Sequence, residues 1–280
     1  MMRGMFAAIS GLKQHQVMLD VTANDISNVN TIGYKSSRVT FQDSLTQMQR
    51  SAAAPQGNNG GSNPAQIGLG VGLGSVDNLM TGGAVQTTGN PLDVAIQGDG
   101  FFQIGEGTPD PNTTLNPITP TAYTRAGNFS INSQGFLITQ NGQYVIGYED
   151  GGTTETAIRI PPGATGVAID QSGGVSYIDP VTQTRVTPYR LTLATFSNPA
   201  GLERDGGNRW IVSANSGTKT VATPGQNGLG VTTAGAVEMS NVDLAQTFTS
   251  MITAQRGFQA NSRVISTADE MLQDLVNMKR

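Results

Sequence analysis

Few side chains of this chain have types and spacing that suit catalysis or metal binding. His15 is the only histidine. A histidine can act as a general acid or base near neutral pH, but we expect this one to lie on a helix surface or at an interface. Cysteine is absent, which excludes disulfides, thiolate nucleophiles and thiolate metal ligands.

The carboxylates and the glycine-rich stretch give no stronger indication of chemistry. Asp170, Asp179 and Asp205 lie in turn-like sequence, where aspartate is favoured for its local hydrogen bonds. Residues 68–74 alternate Gly with apolar residues but lack the Lys-Ser/Thr ending of a phosphate loop. A polysaccharide-active enzyme would need two carboxylates about 5 to 9 Å apart in a cleft, and no motif indicates such a pair. The sequence therefore predicts a non-enzymatic protein without catalytic, cofactor-binding or metal sites.

Composition narrows the possible partners. The chain has 280 residues, 13% of them charged, and a net charge of −4, so neutral polar residues and glycine replace the usual charges. Without a basic tract we expect no nucleic-acid binding, and without a long apolar run we expect no membrane span. The N-terminus lacks the pattern of a cleavable signal peptide. If the protein is exported, we expect another route.

Both ends of the chain show apolar heptads, which are typical of helices that pack along a seam. The seam residues, which we predict to carry self-assembly, are Met5, Ile9, Leu12, Leu19 and Ile26 at the first end and Leu244, Phe248, Met251, Phe258, Ile265 and Leu272 at the other. We expect helices over residues 3–27 and from about Ser240 to Met278, with Ser240 and Asp243 forming a capping box. Each seam needs a partner, so the ends are predicted to pair as a coiled-coil-like rod.

The second heptad column is partly polar. In the C-terminal helix it continues after Phe248 with Gln255, Ser262 and Asp269. A hairpin of two such helices is one interpretation, and helices completed by neighbouring subunits in a tube are the other. The mid-helix Gly257 costs about 1 kcal/mol of helix stability relative to Ala, which suits a close contact with another helix.

Between the ends the sequence predicts antiparallel β structure, which makes the fold class α+β. Short apolar strands alternate with turn residues, including the hairpin signal Asn141-Gly142, and Trp210 is expected to anchor the β core. Residues 67–76 are predicted as one strand with a small face, residues 49–66 as a loop or flexible strap, and residues 105–120 as an exposed loop. The predicted domains are residues 1–33 with 238–280 (helical, inner tube), 34–90 (extended linker) and 91–237 (β-domain, outer tube).

Four blocks in order along the chain resemble one known family. The first block contains Asn28, Asn30, Thr31, Gly33, Tyr34 and Lys35, and the others are residues 92–102, 123–129 and 238–263. Together they resemble the flagellar rod and hook proteins. The resemblance implies a structural subunit that polymerises helically into a hollow tube, with terminal helices lining an export channel. It also implies export through the flagellar type III apparatus.

Within that family the C-terminal sequence favours a short hook protein, which would bend as a universal joint, and the chain length suits the distal rod, a stiff drive shaft. The hook is the preferred prediction and the distal rod its alternative. A secreted fibre or adhesin with coiled-coil ends is the alternative from another class. The implied partners are copies of the same chain, the adjoining rod, hook-cap and hook–filament junction proteins, and the flagellar export apparatus.

Overall fold

The computed structural model describes residues 2–55, 60–110 and 118–278. The remaining parts of the predicted strap and of the predicted loop at 105–120 lie outside the described residues. Contacts divide the chain into two compact units. The first comprises Met1–Ser27, Ser37–Asn78 and Asp243–Arg280, and the second comprises Asn28–Ser36 and Leu79–Val242.

The first unit is built on two long helices, α1 (Met2–Ser27) and α2 (Leu244–Met278). They pack against each other, which confirms the predicted pairing of the chain ends. Their contact uses small residues: a Cβ added to Gly11 would lie 2.7 Å from Asn261 Nδ2, and one added to Gly257 would lie 2.5 Å from the His15 ring. The predicted close contact at Gly257 is therefore present, and His15 lies in the interface.

Helix α2 begins later than the predicted start at Ser240. Asp243 caps it, because its Oδ1 accepts the backbone N–H groups of Ala245 (2.8 Å) and Gln246 (3.2 Å). The predicted capping box was wrong: Ser240 lies in the preceding turn, where its Oγ accepts the N–H of Val242. Residues 239–242 belong to the second unit, where Asn241 bonds to Ser36 and Leu79. They therefore do not continue the helix.

Two antiparallel strand pairs complete the first unit. Strand β1 (Ser37–Asp43) pairs with β4 (Val71–Asn78), and β2 (Thr46–Arg50) pairs with β3 (Ala65–Gly68). The single strand predicted over residues 67–76 is thus two strands, because Gly70 has φ +130° between them. The stretch predicted as an extended linker contains paired strands, since its alternating residues find partners within the same stretch.

The second unit is antiparallel β structure throughout its described pairings. Its strands are β5 (Val85–Thr87), β6 (Val94–Gln97), β7 (Phe101–Gly105), β8 (Ala122–Thr124), β9 (Ser130–Ile131), β10 (Leu137–Ile138), β11 (Tyr144–Glu149), β12 (Glu155–Ala157), β13 (Thr165–Ile169), β14 (Gly174–Ile178), β15 (Arg185–Leu191), β16 (Leu193–Phe196), β17 (Glu203–Gly206), β18 (Arg209–Ile211), β19 (Lys219–Ala222), β20 (Val231–Ala234) and β21 (Ala236–Glu238). The large sheet follows the order β13-β14-β15-β11-β7-β8-β18-β17, while β20 pairs with β6 and β21 with β5.

The second unit buries most of the apolar core. Its main cluster includes the T-shaped pair Phe102 and Phe129, with ring centroids 5.1 Å apart. A second cluster contains Trp210, which is 3% exposed beside Tyr123 and Phe196, as predicted for a β-core anchor. The turn at Asn141-Gly142 joins β10 and β11, with Gly142 at φ +81°. Paired terminal helices and a large antiparallel β region confirm the predicted α+β class.

Candidate functional site

The predicted family-motif residues form a loop, residues 28–36, that belongs to the second unit. Two backbone hydrogen bonds between residues three apart shape it, from Thr31 N–H to Asn28 O (3.1 Å) and from Tyr34 N–H to Thr31 O (3.3 Å). Gly33 then adopts φ +69°. A Cβ at this position would lie 2.7 Å from the carbonyl carbon of Arg125. Glycine is therefore required twice over, for its backbone angle and for the close approach.

Lys35 ends fully buried in an ion cluster. Its Nζ donates to Glu238 Oε1 at 2.5 Å and to Thr81 O at 2.7 Å. The other carboxylate oxygen of Glu238 accepts from Arg125 Nη1 at 3.1 Å. Arg125 Nη2 donates to Gly98 O at 2.8 Å. We call Lys35, Arg125 and Glu238 the buried triad.

The triad contains two cations and one anion, all at most 2% exposed. Burial lowers the pKa of Lys35 below its ordinary value, and the neighbouring Glu238 carboxylate opposes that shift. Glu238 Oε1 also accepts the backbone N–H of Gly83 at 2.9 Å. A buried charge that loses its partner is strongly destabilising. Glu238 is the carboxylate that pairs with both Lys35 and Arg125, so it offsets the cost of burying these two cations.

A second group of contacts holds the loop from another side. Arg204 lies over the Tyr34 ring (4.9 Å) and the Trp210 ring (5.1 Å). It donates to the Tyr34 hydroxyl at 3.2 Å and to the Lys35 carbonyl. Asn208 Nδ2 donates to Ile32 O at 2.9 Å. The loop is thus fixed through its side chains and its backbone.

Asn241 connects three segments of the chain within the second unit. Its Oδ1 accepts the N–H of Ser36 at 2.7 Å, and its Nδ2 donates to Leu79 O at 2.9 Å. Ser36 and Leu79 lie where the chain leaves and re-enters this unit, and Asn241 lies just before it leaves again. A single carboxamide therefore ties together the ends of these segments.

The four sequence blocks that carried the resemblance converge on the buried triad. Lys35 comes from the first block, Arg125 from residues 123–129 and Glu238 from the start of the last. The block at 92–102 supplies Phe101, whose ring lies 5.4 Å from the Arg125 guanidinium carbon. Sequence analysis placed Lys35 in the motif but missed Arg125 and Glu238 as its partners. Both residues lie in blocks that carry the resemblance, and this was the sequence signal that could have identified them as partners of Lys35.

The predicted self-assembly residues lie in the first unit. Those that are partly buried are Met5, Ile9, Leu12, Leu19, Ile26, Met251, Phe258, Ile265 and Leu272. Leu244 and Phe248 are exposed, at 41% and 49%. The most buried residues of the helix pair are instead small ones, such as Ala8 and Ala254. Further exposed apolar side chains that sequence analysis did not select are Phe6, Ile252, Val264, Met271, Leu275 and Val276.

The remaining candidates for chemistry have structural roles. Asp170 and Asp179 accept hydrogen bonds within their own turns, and Asp205 pairs with Arg209 at 2.8 Å. Among the described residues, no group of three or more His, Asp or Glu side chains could hold a metal ion. Neither helix in the described part of the chain is long and apolar enough to cross a membrane.

Comparison with known proteins identifies the family. Residues 5–35 match the flagella basal body rod protein family, residues 95–177 the D1 domain of the flagellar hook protein FlgE/F/G family, and residues 233–278 the C-terminal family of flagellar basal body rod FlgEFG proteins. All three residues of the buried triad lie within these matched segments.

Full-length relatives agree with these matches. A Bacillus subtilis protein named flagellar basal-body rod protein FlgG is 44% identical over 281 residues and 100% of both chains. The Caulobacter vibrioides protein of that name is 40% identical over 97% of both chains. A Borreliella burgdorferi flagellar hook protein FlgE is 27% identical in an alignment of 441 residues that covers 100% of both chains. The chain therefore belongs to the family of structural flagellar rod and hook proteins.

Proposed function

We propose that the chain is a subunit of the distal rod of the bacterial flagellar basal body, where it polymerises into a hollow, stiff drive shaft. The observation that carries this proposal is the end-to-end similarity to proteins named basal-body rod protein, at 44% and 40% identity. Similarity to a hook protein is lower, at 27%, and needs an alignment of 441 positions against 280 residues of this chain. The rod alternative thus replaces the hook, which the sequence had favoured, because rod and hook proteins share the blocks on which that preference depended.

The exposed face of α2 supports polymerisation. This helix has 35 residues, of which only Ala254 and Ala268 are buried. Its exposed apolar side chains include Phe248 and Val276, which are 49% and 67% exposed. Exposed apolar side chains of this kind suit an interaction surface, and a helix owes most of its stability to packing of its apolar face. We infer that neighbouring copies cover this face and complete the helix.

The low charge of the chain suits this arrangement. With 13% charged residues, surfaces that meet identical surfaces avoid much like-charge repulsion. In the proposed rod the partners are copies of the chain, adjoining rod proteins and, at the far end, hook components. The subunit reaches this position through the flagellar export apparatus.

Deleting the gene and imaging the basal bodies by electron microscopy tests the proposal. A distal-rod role predicts a truncated rod, because every later component adds to the rod tip. A complete rod without a hook would instead restore the hook assignment. Re-expression of the full chain must restore the complete rod, which controls for effects on neighbouring genes.

A further inference from the structure

Helix α2 bears two separate groups of exposed apolar side chains. The first stripe, in its N-terminal part, comprises Leu244, Phe248 and Ile252. The second stripe, in its C-terminal part, comprises Val264, Met271 and Leu275. All six side chains are between 41% and 50% exposed. Packing against α1 therefore leaves both stripes largely uncovered, and each is available to a partner.

The two stripes face different sides of the helix. An α-helix turns by roughly 100° per residue, which fixes the direction of each side chain around the axis. The side that contacts α1 is marked by the buried Ala254 and Ala268 and by Gly257. The first stripe lies roughly 150° from this side in one direction, and the second stripe lies roughly 50° from it in the other. One neighbouring helix cannot cover both stripes, so each copy needs two contacts.

The charges of α2 are segregated along the helix, with a basic part followed by an acidic part. The charged residues of segment 244–268 are Arg256 and Arg263, and those of segment 269–278 are Asp269, Glu270 and Asp274. The basic residues at 279–280 lie outside the described residues. All five charged side chains are exposed, and none forms an ion pair within the described part of the chain. They are therefore available to a partner of opposite charge.

A single displacement of a neighbouring helix brings opposite charges and the two stripes together. Three pairs have nearly the same spacing along the chain: Ile252 with Val264 (12 positions), Arg263 with Asp274 (11 positions) and Arg256 with Glu270 (14 positions). A parallel neighbour displaced by about 12 residues, or ~18 Å at the helical rise, places the members of each pair at nearly the same level. The apolar contact and the charge contact therefore call for the same arrangement.

We infer that the first stripe of each copy packs against the second stripe of a neighbouring copy, with the two α2 helices parallel and displaced by about 12 residues. This head-to-tail contact joins two different surfaces, so it repeats from copy to copy and does not end at a dimer. Contact between identical stripes would bring like charges together, which is unfavourable. A second copy supplies both the apolar stripe and the opposite charge. This inference rests on the proposed rod function.

Cysteine crosslinking in purified basal bodies tests the inference. The chain has no cysteine, so the double variant Ile252→Cys/Val264→Cys offers only two thiols, one in each stripe. A short bismaleimide cannot join them within one helix, where the two positions are ~18 Å apart along the axis. We expect a ladder of dimers, trimers and larger multiples of the chain on a denaturing gel, and no ladder from the soluble monomer.

Three control variants show which surfaces meet. Ile252→Cys/Ser262→Cys moves the second thiol to an exposed position two residues earlier, which faces roughly 160° away from Val264. Its ladder should be at least tenfold weaker. The single variants Ile252→Cys and Val264→Cys should give no dimer, because two different stripes meet. A dimer from either single variant, or equal ladders from the two double variants, overturns the inference.

Charge reversal gives a second, independent measurement. Arg256→Glu alone and Glu270→Arg alone should each lower the amount of chain recovered in basal bodies about fivefold, since each removes an exposed ion pair from every contact. The combination Arg256→Glu/Glu270→Arg should restore the unmodified amount. The two positions are ~21 Å apart within one helix, so restoration can come only from pairing between copies. Failure of the combination to restore assembly contradicts the inference.

The outcomes separate the inference from the proposed function. If the chain is present in basal bodies but gives no ladder, or if either introduced cysteine crosslinks to another protein instead, the inference alone fails. If the unmodified chain is absent from purified basal bodies, the rod proposal fails and the inference with it. Circular dichroism, with melting temperatures within a few degrees of the unmodified chain, shows that each variant is folded. For a cysteine variant that folds but is not incorporated, the charge reversal decides.

Discussion

The two units of this protein achieve stability in opposite ways. The second unit buries aromatic clusters and a complete ion triad, and its described strands pair with other strands of the same unit. In the first unit, α2 leaves most of its apolar side chains exposed and uses Gly and Ala for its closest contacts. This difference supports the proposal that neighbouring copies complete the helices, whereas the β unit buries its own core.

Truncating both helices should have the largest effect. A fragment of residues 28–242 keeps the motif loop and all the strands. We expect it to fold with a melting temperature within about 5 °C of the full chain, because the buried aromatic clusters lie in the part that is kept. In a domain of this size, a change of 1 kcal/mol in the free energy of unfolding shifts Tm by roughly 2–4 °C. We also expect it to lose polymerisation completely, as measured by sedimentation and electron microscopy. Tubes formed by the fragment would contradict the role given to the helices.

The substitution Glu238→Gln should have the next largest effect. It leaves the buried Lys35 and Arg125 without a carboxylate, and breaking a buried pair costs about 3 to 5 kcal/mol. Urea unfolding of the fragment and of the full chain measures the loss. The control is Asp77→Asn, which removes the exposed ion pair with Arg38 (3.3 Å) and should cost at most about 1 kcal/mol. Equal effects of the two substitutions would show that the triad adds nothing beyond a surface pair.

The smallest effect is expected at the helix contact. Gly257→Ala gains about 1 kcal/mol of helix propensity, but its Cβ would lie 2.5 Å from the His15 ring. We expect the clash to outweigh the gain, so that hydrogen-exchange protection of α2 amides falls about fivefold, equivalent to roughly 1 kcal/mol.

Two matched variants isolate the cause of that loss. Adding His15→Ala to Gly257→Ala should restore the protection, because the clash is removed and the propensity gain remains. Gly4→Ala, where an added Cβ meets no atom within 4 Å, should leave protection unchanged or raise it. A loss in all three variants would mean that the helices are not packed as described.

Local patterns predicted much of the fold. The heptads identified both terminal helices, and turn residues such as Gly142 marked the β hairpins. Predictions failed where a distant residue decided the outcome. Ser240 has the features of a helix cap, but Asn241 beside it bonds to Ser36 and Leu79, which leaves Asp243 as the cap. Local propensity cannot foresee such a contact.

The candidate site was predicted only in part. Lys35 belonged to a recognised motif, but its partner Glu238 lies 203 positions away along the chain. Periodicity describes neighbours within a helix or strand and says nothing about pairs at that separation. The helix contact face was missed for a related reason: small residues such as Ala8 and Gly11 carry little weight in a hydrophobic pattern, yet they allow the closest approach of two helices.

Residue types at short spacing were enough to predict the terminal helices and the antiparallel β middle, and the resemblance of four sequence blocks pointed to the family. Only the folded chain shows that the four family blocks meet at one buried triad. The physical reason is desolvation. A buried Lys35 is tolerable only once folding brings Glu238 within 2.5 Å of it, and that pairing exists only in the folded chain.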